Sequence, residues 1–146
     1  MKARDLMTPD PAQVTPGDTL QRVSQLMEEH DCGLIPVVTA ADQRSVVGVV
    51  TDRDIALRGV GAGRPPTTPI GDIMTTNPDT VSPDDDIDKV EKLMSDRQIR
   101  RVVVVDGAGE CVGIIAQADL ARTAPEHEVA ELVCEVSQRT GRPARL

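Results

Sequence analysis

Apolar positions along this chain follow two periods, and the order of these periods occurs twice. From Leu20 to Met27 and from Ile87 to Met94 apolar residues recur every three or four positions, which predicts two amphipathic helices. The predicted apolar faces consist of Leu20, Val23, Leu26 and Met27 in the first helix and of Ile87, Val90, Leu93 and Met94 in the second. We assign both faces to the core. Asp18, with Gln21 three residues later, and Asp85 are the predicted N-caps.

Short runs of β-branched residues, bounded by Gly, Asp or Pro, follow each helix and predict buried strands. An extended stretch flanked by proline precedes each helix, and a short helix follows the second run. The extended stretches are 12–16 and 79–83, the strands 34–38, 46–50, 102–105 and 112–115, and the short helices 52–58 and 117–122. Each half of the chain is therefore predicted to be a β-α-β-β-α module.

The two halves are copies of one another. Asp5-Leu6-Met7-Thr8 returns as Asp72-Ile73-Met74-Thr75, an offset of 67 (74 − 7), and Gly48-Val49-Val50 matches Gly113-Ile114-Ile115 after a two-residue deletion. We predict an α/β (α+β) protein whose two pseudo-symmetric modules pack through their sheets, with ligand sites expected between them. The predicted boundaries are 1–60 for module 1, 61–71 for a Gly/Pro-rich linker, 72–123 for module 2 and 124–146 for a C-terminal helix and tail.

The predicted C-terminal helix carries an apolar stripe that needs a surface to cover. The stripe consists of Val129, Leu132, Val133 and Val136. We predict that the helix at 126–138 buries this stripe within or beside the interface of a two-fold homodimer.

Composition narrows the range of partners. The chain has 146 residues, a formal net charge of −8 and no Phe, Tyr or Trp. The acidic balance disfavours nucleic acid and anionic membranes, and the missing aromatics remove the stacking platforms of single-strand binders. With no window that resembles a membrane span or a signal peptide, we predict a cytoplasmic protein.

The sharpest local feature is Thr51-Asp52-Arg53-Asp54, at a predicted strand-to-helix junction. A hydroxyl and free N–H groups at a helix start suit a phosphate, and an acid one turn later suits a ribose diol. Thr51 and Asp54 also fit a capping box equally well. The second copy has Ala116 and Asp119 at these positions, so it keeps the acid and loses the hydroxyl. This asymmetry favours two related sites, of which the first is the more complete.

The start of the first strand in each copy offers further candidates. Gly33 permits close approach to the backbone, and Ile35 and Pro36 form an apolar wall. In the second copy Arg100 takes the position of Gly33. Its guanidinium either pairs with a phosphate or lies in solvent and offsets the negative charge of the surface.

With these motifs, residues 1–122 resemble a tandem pair of cystathionine β-synthase (CBS) domains. The tract 51–59 and Pro125-Glu126-His127 further resemble the hypoxic-response type of stand-alone CBS-pair proteins of actinobacteria. The resemblance implies two clefts that take AMP, ADP, ATP or S-adenosylmethionine. It places Thr51 at the phosphate, Asp54 at the ribose, and Gly33, Ile35, Pro36 and the backbone of Thr80 around the adenine. The implied second-cleft residues are Asp119, Arg100, Val102 and Thr15. Ala116 and Val103 depart from the family pattern there, which weakens the expectation of a second ligand.

Other chemistry is poorly supported by the sequence. Cys32, Cys111 and Cys134 have irregular spacing and no accompanying His cluster, and the acids at 84–86 suit a helix start. No nucleophile lies in a pattern with a base, so we predict neither catalytic nor metal-binding residues, and no resident cofactor. The expected function is a non-enzymatic module that binds or senses an adenine nucleotide. The alternative is a stress-associated interaction protein with a vestigial cleft, whose protein partner the sequence does not identify.

Overall fold

The computed structural model describes residues 1–40 and 42–122, and in it the chain forms two compact units that do not follow chain order. The first-repeat unit consists of residues 10–79 and 105–111. The second-repeat unit consists of residues 1–9, 80–104 and 112–122. The leading segment of each repeat, residues 1–9 in the first and 72–79 in the second, therefore belongs to the unit of the other repeat. The predicted helix at 126–138 and Cys134 lie outside the described residues. The boundaries drawn between modules from the repeat stay a prediction.

The first-repeat unit is a small sheet covered by one main helix. Its strands β2 (Leu34–Val38), β3 (Val46–Thr51) and β4 (Thr75–Thr76) are antiparallel neighbours in that order. The helix α2 (Leu20–Glu29) precedes them, and Val14 bridges to Val37 in parallel at the free edge of β2. After β3 the chain turns through a short α3 (Asp52–Asp54), a π-helix (Ile55–Val60) and a 3-10 turn (Ile70–Asp72).

The second-repeat unit has the same order of elements. Its sheet is β1-β7-β6-β5, built from Thr8–Pro9, Cys111–Ala116, Arg101–Val105 and Thr80–Val81. The strand β5 is parallel to β6, as Val14 is to β2, and β1 is antiparallel to β7, as β4 is to β3. Helices α1 (Ala3–Leu6), α4 (Ile87–Arg97) and α5 (Gln117–Ala121) complete it. The predicted mixed α/β fold is confirmed.

The two cores are aliphatic and correspond at most positions. The helix faces predicted from periodicity are confirmed, because Val23 and Met27 in α2 and Val90 and Met94 in α4 are all buried. The buried residues of the first core are Val14, Leu20, Val23, Met27, Ile35, Val37, Val50, Ile70 and Ile73. Those of the second core are Ala3, Val81, Val90, Met94, Val102, Val104, Ile115 and Leu120. Aliphatic close packing is thus sufficient to fill both cores without an aromatic ring.

The predicted N-caps were each one residue too early. Thr19 caps α2, because its Oγ1 accepts a hydrogen bond from the Arg22 N–H at 3.1 Å. Asp18 instead accepts the Thr15 N–H at 2.8 Å and so closes the turn before the helix. In the second copy the cap is Asp86, and Asp85 accepts the Ser82 N–H at 2.8 Å. Both neighbouring residues are good capping types, and the turn decides which one is used.

Two pairs of equivalent residues have a left-handed backbone conformation, which their residue types do not predict. Asp10 and Asn77 both have φ 49°, and Asp31 and Gln98, which follow α2 and α4, have φ 47° and 58°. The offset of 67 relates the members of each pair (77 − 10 and 98 − 31). The repeat therefore extends to backbone turns where no glycine marks it.

Candidate functional site

The candidate residues of the first copy meet where β3 enters α3. The pairing of β2 with β3 sets Leu34 opposite Thr51. The Asp52 N–H donates a hydrogen bond to the Gly33 carbonyl oxygen at 3.0 Å. Gly33, Thr51 and Asp54 therefore lie at one end of the sheet. This end, with the turn into α3, is called the β3–α3 junction below.

Thr51 and Asp54 form a reciprocal capping box at this junction. Thr51 Oγ1 accepts the Asp54 N–H at 3.1 Å, and Asp54 Oδ2 accepts the Thr51 N–H at 3.0 Å. The capping alternative that the sequence left open is thus present in the structure. Within residues 1–40 and 42–122, however, the Thr51 hydroxyl proton and Asp54 Oδ1 have no protein partner. One donor and one acceptor remain for a ligand beside the half-buried cap.

The matching junction in the second copy has neither group to offer. Ala116 is the N-cap and has no hydroxyl. Asp119 Oδ2 accepts the Ala116 N–H at 2.8 Å, and Asp119 Oδ1 accepts from Arg122 Nη2 at 3.1 Å. Both carboxylate oxygens of Asp119 therefore have partners within the protein, and the residue is only 9% exposed. The second junction, which the sequence predicts to be the less complete site, therefore also differs from the first in its hydrogen bonds.

Ile35 and Pro36 do not form a single wall. Ile35 is 0% exposed and belongs to the first core, as Val102 does to the second. Because side chains alternate along a strand, Pro36 and its equivalent Val103 lie on the opposite face of their strands. All four residues are buried. The adenine contact assigned to Ile35 from the resemblance stays a prediction, and core packing alone accounts for its burial.

The resemblance assigns Thr80 to the first cleft and Thr15 to the second. These two residues are not equivalent positions of the repeat. By the offset of 67, Thr80 corresponds to Gln13 and Thr15 to Ser82 (80 − 13 and 82 − 15). Thr15 and Ser82 make the same N–H bond to Asp18 and Asp85, which supports this second matching. Thr80 is exposed in β5 opposite Val103. Its contribution to a ligand site stays a prediction.

Three glutamines carry buried polar atoms that have no hydrogen-bond partner in the part of the chain that the structure describes. These atoms are Gln13 Oε1, Gln98 Oε1 and Gln117 Nε2. Gln117 begins α5, and its N–H donates to the Arg100 carbonyl oxygen at 2.8 Å, as Asp52 does to Gly33. The Arg100 side chain is exposed. The repeat was the signal that would have pointed to Gln13, since it takes the position of Thr80.

Among residues 1–40 and 42–122, no three His, Cys, Asp or Glu residues are grouped closely enough to hold a metal ion. Over the same described part, no helix is long and apolar enough to cross a membrane.

The two copies each match a known domain model. The model of the CBS domain matches residues 3–60 and again 70–126. The chain belongs to the CBS domain family. The tandem arrangement inferred from the repeat is thereby confirmed, and the β3–α3 junction lies within the first CBS copy.

Relatives of this CBS pair include stand-alone proteins of similar length. The CBS domain-containing protein YhcV of Bacillus subtilis is 39% identical over 127 residues, which cover 87% of this chain and 88% of YhcV. Hypoxic response protein 1 of Mycobacterium tuberculosis is 35% identical over 132 residues, which cover 90% of each chain. The predicted resemblance to the hypoxic-response type is confirmed.

Several solved structures share the fold. Hypoxic Response Protein I, solved with two coordinated zinc ions, has a TM-score of 0.76 at 33% identity, covering 86% of this chain and 100% of its own. The Pyrobaculum aerophilum CBS protein PAE2072, complexed with AMP, has a TM-score of 0.78 at 27% identity, with coverages of 91% and 98%. The CBS pair of MJ0100, complexed with 5′-methylthioadenosine and S-adenosylmethionine, has a TM-score of 0.75 at 26% identity, with coverages of 84% and 94%.

The capping difference between the copies yields a stability prediction. Ala116→Thr gives the second junction the hydroxyl that Thr51 provides in the first, and the Asp119 N–H is the donor that it would satisfy. We expect the free energy of unfolding to rise by about 1 kcal/mol, and Thr51→Ala to lower it by a similar amount. Urea unfolding followed by circular dichroism measures both. A loss of stability in Ala116→Thr would show that the second junction has no room for a cap.

Proposed function

We propose that this CBS-pair protein binds an adenine nucleotide at the β3–α3 junction of its first copy and acts as a non-enzymatic sensor. The observation that carries the proposal is the unused hydrogen-bonding capacity of Thr51 and Asp54 beside their capping box. In the described residues, the Asp119 carboxylate of the second copy has both oxygens in protein hydrogen bonds. The adenosine-type ligands of PAE2072 and MJ0100 support the choice of ligand class.

The two groups suit different parts of a nucleotide. Asp54 Oδ1 accepts hydrogen bonds from the ribose hydroxyls, which a carboxylate does more strongly than a neutral acceptor. The Thr51 hydroxyl donates to a phosphate or other oxygen of the ligand. Gly33 has no side chain to obstruct the base, and its carbonyl oxygen is already held by Asp52. Ligand binding then signals by favouring one conformation of the protein over another.

Thermal stability measured against a nucleotide panel tests the proposal. At 100 times its Kd a ligand adds about 2.7 kcal/mol, which corresponds to a rise in Tm of about 5–10 °C for a chain of this size. AMP, ADP, ATP and S-adenosylmethionine form the panel, and CMP is the control with a different base. Calorimetry or an extrinsic dye is needed, because the chain has no aromatic residue. We expect a shift with at least one adenine ligand and none with CMP.

An interaction protein with a vestigial site is the second candidate, and one feature favours it. Leu57 and Val60, on the π-helix that follows the junction, are 57% and 73% exposed. Large apolar side chains exposed together are common where another protein binds. If no member of the adenine panel at millimolar concentration raises the Tm, this second function is supported. The homodimer, the cytoplasmic location and the identity of a protein partner stay predictions.

A further inference from the structure

The repeated Leu/Ile-Met-Thr motif has a structural role that the nucleotide site does not use. Met7 and Met74 each lie over the bare Cα of a glycine in the neighbouring strand. A Cβ at position 113 would lie 2.6 Å from Met7 Sδ, and a Cβ at position 48 would lie 2.9 Å from Met74 Sδ. Both contacts are closer than real carbon–sulfur packing allows. The absence of a side chain at Gly113 and Gly48 therefore creates a notch that the thioether fills.

Each notch lies where a leading segment joins the sheet of its unit. β1 pairs with β7 through Thr8 opposite Ile114 and Pro9 opposite Gly113. β4 pairs with β3 through Thr76 opposite Gly48 and Thr75 opposite Val49. Each pairing comprises only two residues, and the adjacent methionine adds a side-chain contact to it. Ile70 and Ile73 anchor the second segment further upstream in the first core.

The methionines of these notches are more exposed than the two methionines on the helices. Met7 and Met74 are half-buried, whereas Met27 and Met94 are 8% and 0% exposed. A peroxide oxidises a thioether when the sulfur lone pair attacks one peroxide oxygen and the O–O bond breaks. The sulfur gains that oxygen and loses two electrons, and hydrogen peroxide is reduced to water. The sulfoxide is polar and larger than the thioether, so it fits the close contact with a glycine Cα less well.

We propose that Met7 and Met74 are peroxide-modification sites, and that their sulfoxides release the short β1–β7 and β4–β3 pairings. Release is confined to the pairings themselves, because the buried Ala3 and the buried Ile70 and Ile73 still hold the rest of each segment. The proposal is independent of the nucleotide site. It rests on the same glycine–methionine contact occurring in both units.

Oxidation of the full chain by hydrogen peroxide, followed by peptide mass mapping, tests the first half of the proposal. Met7 and Met74 are expected to oxidise several-fold faster than Met27 and Met94, which serve as internal references in the same molecule. In guanidinium the four rates are expected to converge, because burial no longer distinguishes them. If Met7 and Met74 react as slowly as Met27 and Met94 in the native chain, they are not modification sites.

Hydrogen exchange tests the second half. Once Met74 is fully oxidised, amides in β4 and the facing part of β3 are expected to exchange faster, while those of α2 do not change. Met74→Leu fills the notch without an oxidisable sulfur and is expected to keep these amides protected after peroxide. Met27→Leu is the matched control and retains the response. Unchanged exchange in the fully oxidised wild-type chain would overturn the proposed release, whatever the variants do.

Discussion

Asp54→Ala is expected to weaken AMP binding by about 10- to 150-fold, because it removes a charge-assisted hydrogen bond worth about 1.5–3 kcal/mol. Asp119→Ala is expected to leave most of the affinity intact. Each substitution removes the same bond to the N–H of its helix cap, 3.0 Å long in the first copy and 2.8 Å in the second. The two variants are therefore matched for the loss of capping, and they differ in the carboxylate oxygen that is open to a ligand.

Isothermal calorimetry with AMP at constant ionic strength measures this difference. Circular dichroism at the assay temperature shows that both variants are folded, and the unfolding free energies show how far the capping losses match. Equal loss of affinity in the two variants would mean that the first junction is not the dominant site. A larger loss in Asp119→Ala would transfer the proposal to the second copy, despite Ala116.

Gly48→Ala is expected to lower the free energy of unfolding by about 1–3 kcal/mol, as overpacking of a filled site does. The added Cβ would lie 2.8 Å from the Thr75 carbonyl oxygen and 2.9 Å from Met74 Sδ. The side chain of Met74 is able to move, but the carbonyl belongs to the β4 backbone that pairs with β3. Gly113→Ala should cost less, since the three atoms closest to its Cβ all belong to the Met7 side chain.

Gly107→Ala is the control for these two glycine variants. It has no atom within 4 Å of the added Cβ, so its stability is expected to stay within about 0.5 kcal/mol of the wild type. Chemical denaturation monitored by circular dichroism gives all three values from the midpoint and slope. If Gly48→Ala is as stable as Gly107→Ala, then β4 moves aside without loss of stability. The notch would then contribute little to the free energy of unfolding.

The sequence was informative wherever structure depends on local pattern. The strand at 34–38 and the helix faces with Val23 and Val90 follow from residue type and spacing, and both were predicted correctly. The repeat, together with the motifs at its strand-to-helix junctions, also indicated the tandem family. The cap positions were wrong by one residue, because Asp18 and Thr19 are both suitable caps and the choice depends on the hydrogen bond that closes the Thr15 turn.

The remaining differences come from tertiary structure. No local pattern shows that residues 1–9 belong to the unit of the second repeat, since either unit offers a glycine notch to the same motif. The separation of Ile35 from Pro36 follows from strand alternation, but the resemblance had grouped them by their neighbouring positions in the chain. Asp119 Oδ1 is engaged only because the Arg122 side chain folds back across one helical turn, and the sequence does not specify this conformation.

The exchange of leading segments suggests how such a chain arose. In a chain of one repeat alone, the leading segment could pair with the β3-like strand of its own copy or with that of a second chain. Two such chains could associate by exchanging their leading segments, so that each segment pairs with the sheet of the other chain. The two repeats show this exchange here within one molecule. Duplication and fusion of the gene for one repeat would then make a permanent covalent pair from an association that had depended on protein concentration. Each copy would then be free to diverge, and the difference between Thr51 and Ala116 is the kind of change that this freedom permits.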